Sequence, residues 1–431
     1  MTRTLEQWLD YQQIVHVRGI DLGLDRVREV WLRLGRMAPA PIVITVGGTN
    51  GKGSTVALLE AMLRAGGHRV GCYTSPHLLH YNERIRVEGS DASDSTLIEA
   101  FERIEEARGD VSLTYFEFAT LAALLIFSES GIEVAVLEVG LGGRLDAVNL
   151  IDADAAIVTT IDLDHQDWLG NDRDAIGREK AGIFREGRPA VIGELAPPRG
   201  LLDAALAAQA RVIRAGVDFS FHPRGEEWLW QCGAEQLVLP QPTLRAGCQI
   251  ANAAAAIAAL YALRSCLKWN PAAIAQGVRD AQVPARLQCL RIGSVDLVVD
   301  VAHNPQAART LADWLSVPAR HDVAVRAVFS ALGDKDIGGI VAALRDRIDH
   351  WHVFGLSHEA SRGLTTEAVE AQVCAQVPAI RCTAHRRVEE ALTQAFALSG
   401  PGELVVAFGS FLVAAGALRW SLEALPPEPD R

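Results

Sequence analysis

Residues 41–65 read PIVITVGGTNGKGSTVALLEAMLRA, and the fold is interpreted outward from this stretch. The apolar run Pro41–Val46 predicts a buried strand, and residues 52 to 65 predict a helix. A glycine-rich loop that carries one lysine, Lys52, lies between them. Backbone N–H groups of such a loop can converge on phosphate oxygens, and the helix N-terminus adds partial positive charge. The stretch therefore predicts a phosphate-binding loop in an α/β fold.

The loop departs from the strict pattern G-x-x-x-x-G-K-[ST]. Val46 stands at the first glycine position, and Gly53 stands where a serine or threonine hydroxyl is expected. Two interpretations stay open: a nucleotide site in which Lys52 reaches the outer phosphates, and a plain tight turn. The strand–loop–helix context favours the nucleotide site.

Length and composition limit the class of protein. A chain of 431 residues with 49% apolar and 22% charged residues predicts a globular protein of two or three domains. Its formal net charge of −12 disfavours a nucleic-acid partner, because an acidic surface repels phosphate backbones.

The sequence also predicts a cytoplasmic protein. The first thirteen residues have no apolar signal region, and the most apolar long stretch, Ala251–Leu263, is shorter than the ~20 residues that span a bilayer. That stretch is interpreted as a buried helix. The seven cysteines are scattered without a C-x-x-C pair, which is typical of reduced thiols in a cytosol.

Short β-branched runs alternate with helical patterns along the first half of the chain. After Pro41–Val46, strands are predicted at Arg69–Tyr73, Glu133–Val139 and Ala155–Thr160, with helices near residues 95–108 and 115–130. Strands without strict polar alternation, separated by helices, predict a mostly parallel sheet covered on both faces.

The second half predicts a change of architecture and then a second α/β domain. Phe219–Pro240 is typical of a short antiparallel meander, and a helix is predicted from about residue 247 to 263. Residues 280–290 have no regular periodicity. Beyond them a smaller, Rossmann-like alternation is predicted, with strands at Val295–Val301, Val323–Phe329, Trp351–Phe354 and Glu403–Phe408 and a helix from Pro305. We therefore expect an ATP-binding domain over residues 1–285 and a C-terminal domain over 286–431.

Six short blocks stand out along the chain: Gly48–Ser54, Thr74–His77, Leu137–Asp146, Asp162–His165, Gly177–Phe184 and Asp300–Pro305. In this order they resemble the Mur ligase superfamily, in its dihydrofolate synthase/folylpolyglutamate synthase branch. Each block is weak alone, but six in order make a specific signal. The resemblance implies a central P-loop domain of the Mur type with a smaller C-terminal glutamate-ligase domain.

A metal site is implied at the carboxyl edge of the first sheet. Glu138 ends an apolar strand, so its carboxylate emerges where ligands bind in open α/β folds. From the residues alone Glu138 is either a magnesium ligand beside the phosphates or a cap on neighbouring backbone. His165 is expected at the end of the next strand, on the same edge, although a lone histidine is more often structural. By resemblance, Ser75, Glu138 and His165 hold magnesium. The resemblance also implies two Mg²⁺ ions, ATP as a substrate, and a monovalent cation such as K⁺.

Lys180 has two open interpretations. Its helical surroundings, Arg178–Gly182, are typical of a solvated helix lysine. By resemblance, the matching lysine of the family is carbamylated by carbon dioxide, which converts a cation into an anion and requires a transiently neutral amine.

Further nucleotide and amino-acid positions follow from the resemblance. The implied ATP-binding residues, several of them in the loop, are Thr49, Asn50, Gly51, Lys52, Gly53, Ser54, Asn252, Arg286 and Asp300. His303 is expected to face the incoming amino acid and to act in catalysis with Lys52 and Lys180, and Ser410 is a candidate for the glutamate site. Asp300 could instead be the N-cap of the helix that follows it.

The acceptor site rests on fewer residues. By resemblance, the positions that contact dihydropteroate in two-activity enzymes are Asp21, Leu22, Gly23, Leu24, Thr114, Asp146 and Ala147. Without the resemblance, leucines and a glycine near the N-terminus are interpreted as packing residues.

Together these features predict an ATP-dependent acid–amino-acid ligase. The expected reactions join L-glutamate to dihydropteroate and to the γ-carboxylate of reduced folates through an acyl phosphate. A folylpolyglutamate synthase with one activity, another Mur-type amide ligase, and a non-catalytic nucleotide-binding protein are the alternatives. The expected partners are small molecules only, without nucleic acid or membrane, and the protein is expected to be a monomer.

Overall fold

The structure is a computed structural model that describes residues 3–35, 37–317, 320, 323–378 and 381–424. It divides into two compact units. Unit 1 holds the residues up to Thr243 together with Gln249–Gln282, and unit 2 holds Leu244–Cys248 and the residues from Val283 onward. The sequence-based domain limit at residues 285/286 stays a prediction.

Unit 1 is built on an eight-stranded sheet of order β4-β3-β2-β5-β1-β6-β7-β8. Its strands are β1 (Ile42–Gly47), β2 (Val70–Tyr73), β3 (Ile85–Val87), β4 (Ser90–Asp91), β5 (Val134–Glu138), β6 (Ala155–Val158), β7 (Pro189–Ile192) and β8 (Arg211–Arg214). The six strands from β2 to β8 in the sheet order pair in parallel, whereas β3 and β4 form an antiparallel edge.

Both faces of this sheet are covered, as predicted. The covering helices are α1 (Leu5–Ile14), α2 (Asp25–Arg33), α3 (Lys52–Ala65), α4 (Asp94–Arg108), α5 (Tyr115–Glu129), α6 (Gln166–Leu169), α7 (Arg173–Ala181), α8 (Arg199–Ala207), α9 (Cys248–Ala262, in unit 1 from Gln249) and α10 (Pro271–Asp280). Val46 and Val136 belong to one hydrophobic cluster, with α3, α9 and α10. Val43 and Leu137, their neighbours along the same strands, belong to a second cluster with α1, α2, α4 and α5. Alternate side chains therefore enter opposite cores.

The predicted antiparallel meander is present as a three-stranded sheet of β9 (Phe219–Arg224), β10 (Glu227–Cys232) and β11 (Glu235–Pro240). Trp228 and Trp230 of β10 are fully buried. The Trp230 Nε1–H donates to the carbonyl of Ala254 on α9 over 3.1 Å. The alanine-rich helix is therefore a buried core element, and among the described residues no helix is both long and apolar enough to cross a membrane.

Unit 2 contains a six-stranded sheet of order β12-β13-β17-β14-β15-β16. Its strands are β12 (Gln288–Ile292), β13 (Val295–Val299), β14 (Val325–Phe329), β15 (His350–Val353), β16 (Cys382–Ala384) and β17 (Leu404–Phe408), and its helices are α11 (Pro305–Leu315), α12 (Ile337–Leu344), α13 (Thr366–Cys374), α14 (Val388–Ala397) and α15 (Phe411–Ala424). All pairs are parallel except β12 with β13. The predicted second α/β architecture is confirmed.

The stretch from residue 280 to 290, which has no regular periodicity in the sequence, contains the start of a strand. Gln288 and Cys289 begin β12, which pairs antiparallel with β13. An edge strand of this kind forms because it pairs with a neighbour, so its own sequence carries little periodicity.

Candidate active site

The glycine-rich loop runs from β1 into α3, and two of its glycines are required by geometry. Gly48 has φ +145° and Gly51 has φ +86°, a region that side chains rarely adopt. A Cβ on Gly51 would lie 2.5 Å from the Asn252 Oδ1, and a Cβ on Gly48 would collide with the Thr159 hydroxyl. The backbone of the loop is therefore packed directly against α9 and the end of β6.

The segment that follows β6 holds this loop in place. The Thr49 N–H donates to the Thr160 carbonyl over 2.8 Å, and the Asn50 N–H donates to the Thr160 hydroxyl over 3.1 Å. The Thr159 hydroxyl in turn donates to the Asn50 carbonyl over 2.6 Å. These two threonines were not among the predicted site residues. Threonine is common in strands, so a Thr-Thr pair at a strand end does not by itself indicate that its side chains bond to a neighbouring loop.

His165 belongs to the same segment, and its predicted place at the end of a strand is wrong. β6 ends at Val158, and His165 precedes α6 with φ +50°. The intervening residues leave the sheet because they bond to the loop: the Thr49 hydroxyl donates to the Asp162 carbonyl and accepts from the Asp162 N–H, both over 3.1 Å.

Two lysines meet at one carbonyl oxygen of the loop. The Lys52 Nζ donates to the carbonyls of Gly48 and Thr49, each over 3.1 Å. The Lys180 Nζ, which comes from α7, donates to the same Gly48 carbonyl over 3.0 Å. The arrangement concentrates positive charge at the start of α3, where the helix dipole is also positive.

Lys180 is not the solvated helix lysine that its neighbours suggested, because its side chain is buried. Burial and, to a smaller extent, the nearby charge of Lys52 together lower the pKa of Lys180 to about 7. The sequence of α7 did not indicate this burial, because it places charged residues close together and only some of them are exposed. Arg178, two residues before Lys180, is exposed. A large part of the Lys180 amine is thus neutral at physiological pH.

Glu138 and Ser75 lie against the same loop. Glu138 ends β5, is buried, and pairs in register with Val46 of β1. Its Oε2 accepts the Ser75 N–H over 3.1 Å. A Cβ on Gly53 would lie 3.6 Å and 3.8 Å from the two carboxylate oxygens, so the carboxylate faces the first turn of α3.

The donor set around Glu138 fits a divalent cation. The described residues contain no group of three or more His, Cys, Asp or Glu side chains arranged for a metal. Magnesium does not need such a group, because it is bound by one or two carboxylates together with water and substrate phosphates. A buried carboxylate beside a serine and a phosphate loop meets that requirement. Glu138 also accepts a backbone N–H, so the capping interpretation describes one of its contacts.

The three sequence segments assigned to the acceptor lie together around the N-terminus of α5. Thr114 is the N-cap of α5, and the Gly23 N–H donates to the Leu145 carbonyl over 3.2 Å, which joins the N-terminal segment to the loop before Asp146. Asp21 forms an ion pair with Arg26 at 2.7 Å. Leu22 and Leu24 are half-buried in this segment.

Asp146 organises the loop between β5 and the 3-10 helix Ala147–Leu150. Its carboxylate accepts the N–H groups of Leu141 over 2.8 Å and of Val148 over 3.0 Å. Burial raises the pKa of Asp146 to about 6 in spite of these hydrogen bonds. Ala147 is buried as well. Loop positioning is therefore the role that the contacts of Asp146 indicate.

In unit 2, polar residues gather at the carboxyl ends of the neighbouring strands β13 and β17. Asp300 follows β13 and accepts the N–H groups of Leu287 over 2.8 Å and of Ala302 over 2.7 Å. Burial raises the pKa of Asp300. The Ser410 hydroxyl follows β17 and accepts the Val413 N–H over 3.1 Å. This is the edge at which open α/β sheets bind ligands.

A ring and a guanidinium flank that edge. The His303 ring lies 6.3 Å from the Phe411 ring, and the Arg286 guanidinium lies 5.4 Å from the same ring. The N-cap of α11 is Asn304, whose side chain accepts from the backbone of Ala307, so the capping interpretation of Asp300 is wrong.

Comparisons with known proteins show the fold and the family of the chain. Residues 46–260 match the Mur ligase middle domain, and residues 285–411 match the Mur ligase glutamate ligase domain. The chain is 45% identical over 369 residues to the dihydrofolate synthase/folylpolyglutamate synthase of Escherichia coli, covering 84% of each chain. It is 39% identical to the protein of the same name from Haemophilus influenzae, covering 95% of this chain and 96% of the relative.

Solved structures resemble the chain over nearly its whole length. E. coli FolC in complex with DHPP and ADP is 42% identical with a TM-score of 0.91, covering 98% of both chains. A bifunctional folylpolyglutamate synthase/dihydrofolate synthase with Mn, AMPPNP and L-glutamate bound is 44% identical with a TM-score of 0.89 and the same coverage. These matches confirm the resemblance carried by the six sequence blocks. The chain therefore belongs to the Mur ligase family, in the group of dihydrofolate synthase/folylpolyglutamate synthases.

Proposed function

We propose that this chain ligates L-glutamate to dihydropteroate, and to the γ-carboxylate of reduced folates, with ATP as the energy source. One structural observation carries the proposal: Lys52, Lys180 and the Glu138 carboxylate converge on a single glycine loop. The Lys52 ammonium beside a carboxylate, at a helix N-terminus, suits transfer of the terminal phosphate of a nucleotide. The names of the relatives support the choice of substrates.

The reaction runs through an acyl phosphate. An oxygen of the acceptor carboxylate attacks the γ-phosphorus of ATP, and ADP leaves. The α-amine of L-glutamate then attacks the activated carbonyl carbon. The C–O bond to phosphate breaks, the amine loses its proton, and an amide, phosphate and ADP are the products.

The loop supplies most of what the first step needs. Backbone N–H groups of Gly51, Gly53 and Ser54 bind phosphate oxygens in this proposal, since each lies at the turn from β1 into α3. The N–H groups of Thr49 and Asn50 bond to Thr160, so we assign these two residues to ATP by their place in the loop. Lys52 supplies the full positive charge that offsets charge on the transferred group. Positioning and electrostatics carry such a transfer, because it requires little covalent help from the protein.

Ser75, Glu138 and His165 are the residues that we propose to hold a divalent cation. A bound cation there would withdraw negative charge from the phosphate oxygens. A manganese-bound relative supports the use of a divalent metal. Magnesium as the ion, its count of two, and an additional K⁺ stay predictions.

Lys180 is proposed to be carbamylated. Its neutral amine adds to carbon dioxide, a C–N bond forms, and a proton is released, which leaves a carbamate anion in place of a cation. The buried position and the lowered pKa support this step, because only a neutral amine is nucleophilic. Conversion would also remove the repulsion between Lys180 and Lys52.

The remaining residues divide between nucleotide and amino acid. We assign Asn252, Arg286 and Asp300 to ATP, and His303 and Ser410 to the incoming glutamate. The contact between Asn252 and Gly51 supports the first assignment in unit 1, and the shared sheet edge of Asp300 and Ser410 supports grouping them in unit 2. Asp21 to Leu24, Thr114, Asp146 and Ala147 are assigned to the dihydropteroate acceptor.

Product identification tests this function. The protein, ATP, magnesium and L-glutamate would be incubated with dihydropteroate or with tetrahydrofolate, and products would be analysed by mass spectrometry. We expect dihydrofolate from the first acceptor and a species one glutamyl longer from the second, each dependent on ATP. Extension of tetrahydrofolate without use of dihydropteroate would leave a folylpolyglutamate synthase. If neither product forms, the proposal is refuted.

Monomeric state, a cytoplasmic location and the absence of a nucleic-acid or membrane partner stay predictions.

A further inference from the structure

Arg26, on the first turn of α2, joins two parts of the chain that sequence analysis assigned separately to the acceptor. Its Nη1 donates to the Asp21 Oδ2 over 2.7 Å, and its Nη2 donates to the Asp21 carbonyl over 2.7 Å. The same Nη2 donates to the Glu117 Oε1 over 3.1 Å. One guanidinium thus fixes both the side chain and the backbone of Asp21 to a residue of α5.

Glu117 passes this restraint to the N-cap of α5. Its side chain is only 4% exposed, and its Oε2 accepts the Thr114 N–H over 2.7 Å. The Glu117 N–H donates to the Thr114 hydroxyl over 3.2 Å, which completes a capping box. The chain of contacts therefore runs from Asp21 through Arg26 and Glu117 to Thr114.

The segment from Asp21 to Leu24 has no regular structure of its own. It precedes α2, whose N-cap residue, Leu24, makes no side-chain capping hydrogen bond. Its other restraints include the hydrogen bond from the Gly23 N–H to the Leu145 carbonyl at 3.2 Å and contacts of Asp21 with His16 at 3.2 Å and with Arg18 at 3.6 Å. The planar Arg26 guanidinium makes three hydrogen bonds at 2.7–3.1 Å, and it is the restraint best suited to set the conformation of residues 21–24.

We infer that Arg26 is a positioning residue that shapes the pocket for the shorter acceptor, dihydropteroate, by holding residues 21–24 against the N-terminus of α5. The inference rests on the proposed function. Dihydropteroate reacts at its benzoyl carboxylate, whereas a folate reacts at a γ-carboxylate several bonds further from the ring. With a fixed phosphate site the two rings occupy different places, so loss of Arg26 should affect the two acceptors unequally.

The test compares Arg26→Met and Arg26→Lys with a matched control on the same helix. Arg28→Met removes an arginine that is 53% exposed and pairs only loosely with Asp25, at 3.5 Å. For each protein, kcat and KM would be measured for dihydropteroate, tetrahydrofolate and ATP. We expect Arg26→Met to lower kcat/KM for dihydropteroate roughly ten- to a hundredfold more than for tetrahydrofolate, the scale of a small misplacement of substrate.

The controls separate positioning from stability. Arg26→Lys keeps the charge without the fork, so it should fold and show a smaller shift of the acceptor ratio in the same direction. Arg28→Met should leave the ratio unchanged, and the KM for ATP should not move in any variant. If Arg26→Met fails to fold, the ratio in Arg26→Lys decides.

Failure of this inference and failure of the proposed function would give different results. An acceptor ratio that stays at the wild-type value in the folded Arg26 variants would overturn the inference and leave the ligase function intact. Absence of glutamate-dependent turnover in the wild-type protein, with either acceptor, would instead overturn the proposed function.

Discussion

The Lys52 ammonium places a positive charge at the phosphate loop, where it donates to the carbonyls of Gly48 and Thr49. Replacing it with alanine should leave the fold intact and lower turnover by roughly 100- to 1,000-fold, the range found for losing one preorganised electrostatic contact. Phosphate release in the presence of both substrates would measure the effect. Lys268→Ala removes an exposed lysine of unit 1 and is the matched control. A Lys52→Ala protein with near-normal turnover would refute the phosphate-loop assignment.

The role of the Glu138 carboxylate in metal binding can be tested against Glu133, which lies just before the other end of β5. Glu138→Gln keeps the size of the side chain and removes its charge, so the variant should need more magnesium and turn over more slowly. Glu133→Gln alters a partly exposed glutamate at the opposite end of the strand and should leave the magnesium titration unchanged. An unchanged magnesium titration in a folded Glu138→Gln protein would return Glu138 to a structural role.

Lys180 predicts a dependence of stability on pH. The pKa of Lys180 is about 7 in the folded protein, below the ordinary value of 10.5. Between these values the unfolded chain binds a proton that the folded protein lacks, so this group makes the free energy of unfolding increase as pH rises from about 7. Below about pH 7 the buried ammonium costs stability. Urea unfolding of wild type and Lys180→Met at about pH 6 and about pH 9, without carbon dioxide, would measure the difference.

The Lys180→Met variant lacks the titrating group, so its stability should change less over that interval. An equal change in both proteins would show that Lys180 keeps its ordinary pKa. The burial that lowers this pKa was not evident from sequence, since it depends on the packing of α7 against the loop from β1 to α3.

At the scale of elements, the turn into α3 is decided by Gly51. Its φ is +86°, and a Cβ would lie 2.5 Å from the Asn252 Oδ1. Gly67 has nearly the same φ, +84°, with nothing within 4 Å of a Cβ. Both alanine substitutions should cost about 1–2 kcal/mol through left-handed backbone strain. Gly51→Ala should in addition raise the KM for ATP, because Asn252 or the loop must move.

Steady-state kinetics and thermal melting of the two variants would separate these effects. Equal KM values for ATP in Gly51→Ala and Gly67→Ala would mean that the contact with Asn252 has no part in nucleotide binding. Comparing the two variants separates the effect of the contact with Asn252 from the effect of backbone strain, because the two glycines have nearly the same φ but different surroundings.

The elements that sequence predicted well are those with their own signal. β1 and β5 are continuous apolar runs, and α3 follows a glycine loop, so their type was evident and their limits differ by one residue or so. The edge strands β4 and β16 were missed, because two or three residues carry no periodicity. They exist through pairing with neighbours, which a local pattern does not report.

For the molecule as a whole, both units follow one rule. Each builds a mostly parallel sheet and collects polar residues at the carboxyl ends of its strands: Glu138 after β5 in unit 1, and Asp300 and Ser410 after β13 and β17 in unit 2. This rule indicated Glu138 and Asp300 from the sequence, whereas most other site residues came from the resemblance to the family. The rule failed for His165, which was assigned to a strand end although six residues separate it from β6, because those residues bond to the loop instead of extending the sheet.

The proposed reaction depends on attack of the acceptor carboxylate on the terminal phosphorus of ATP. Dihydropteroate labelled with ¹⁸O in both carboxylate oxygens would test this attack, with the released phosphate analysed by mass spectrometry. We expect one ¹⁸O in each phosphate released with an amide, because the bridging oxygen of the acyl phosphate leaves with phosphorus. Unlabelled phosphate, or label found in AMP, would contradict it.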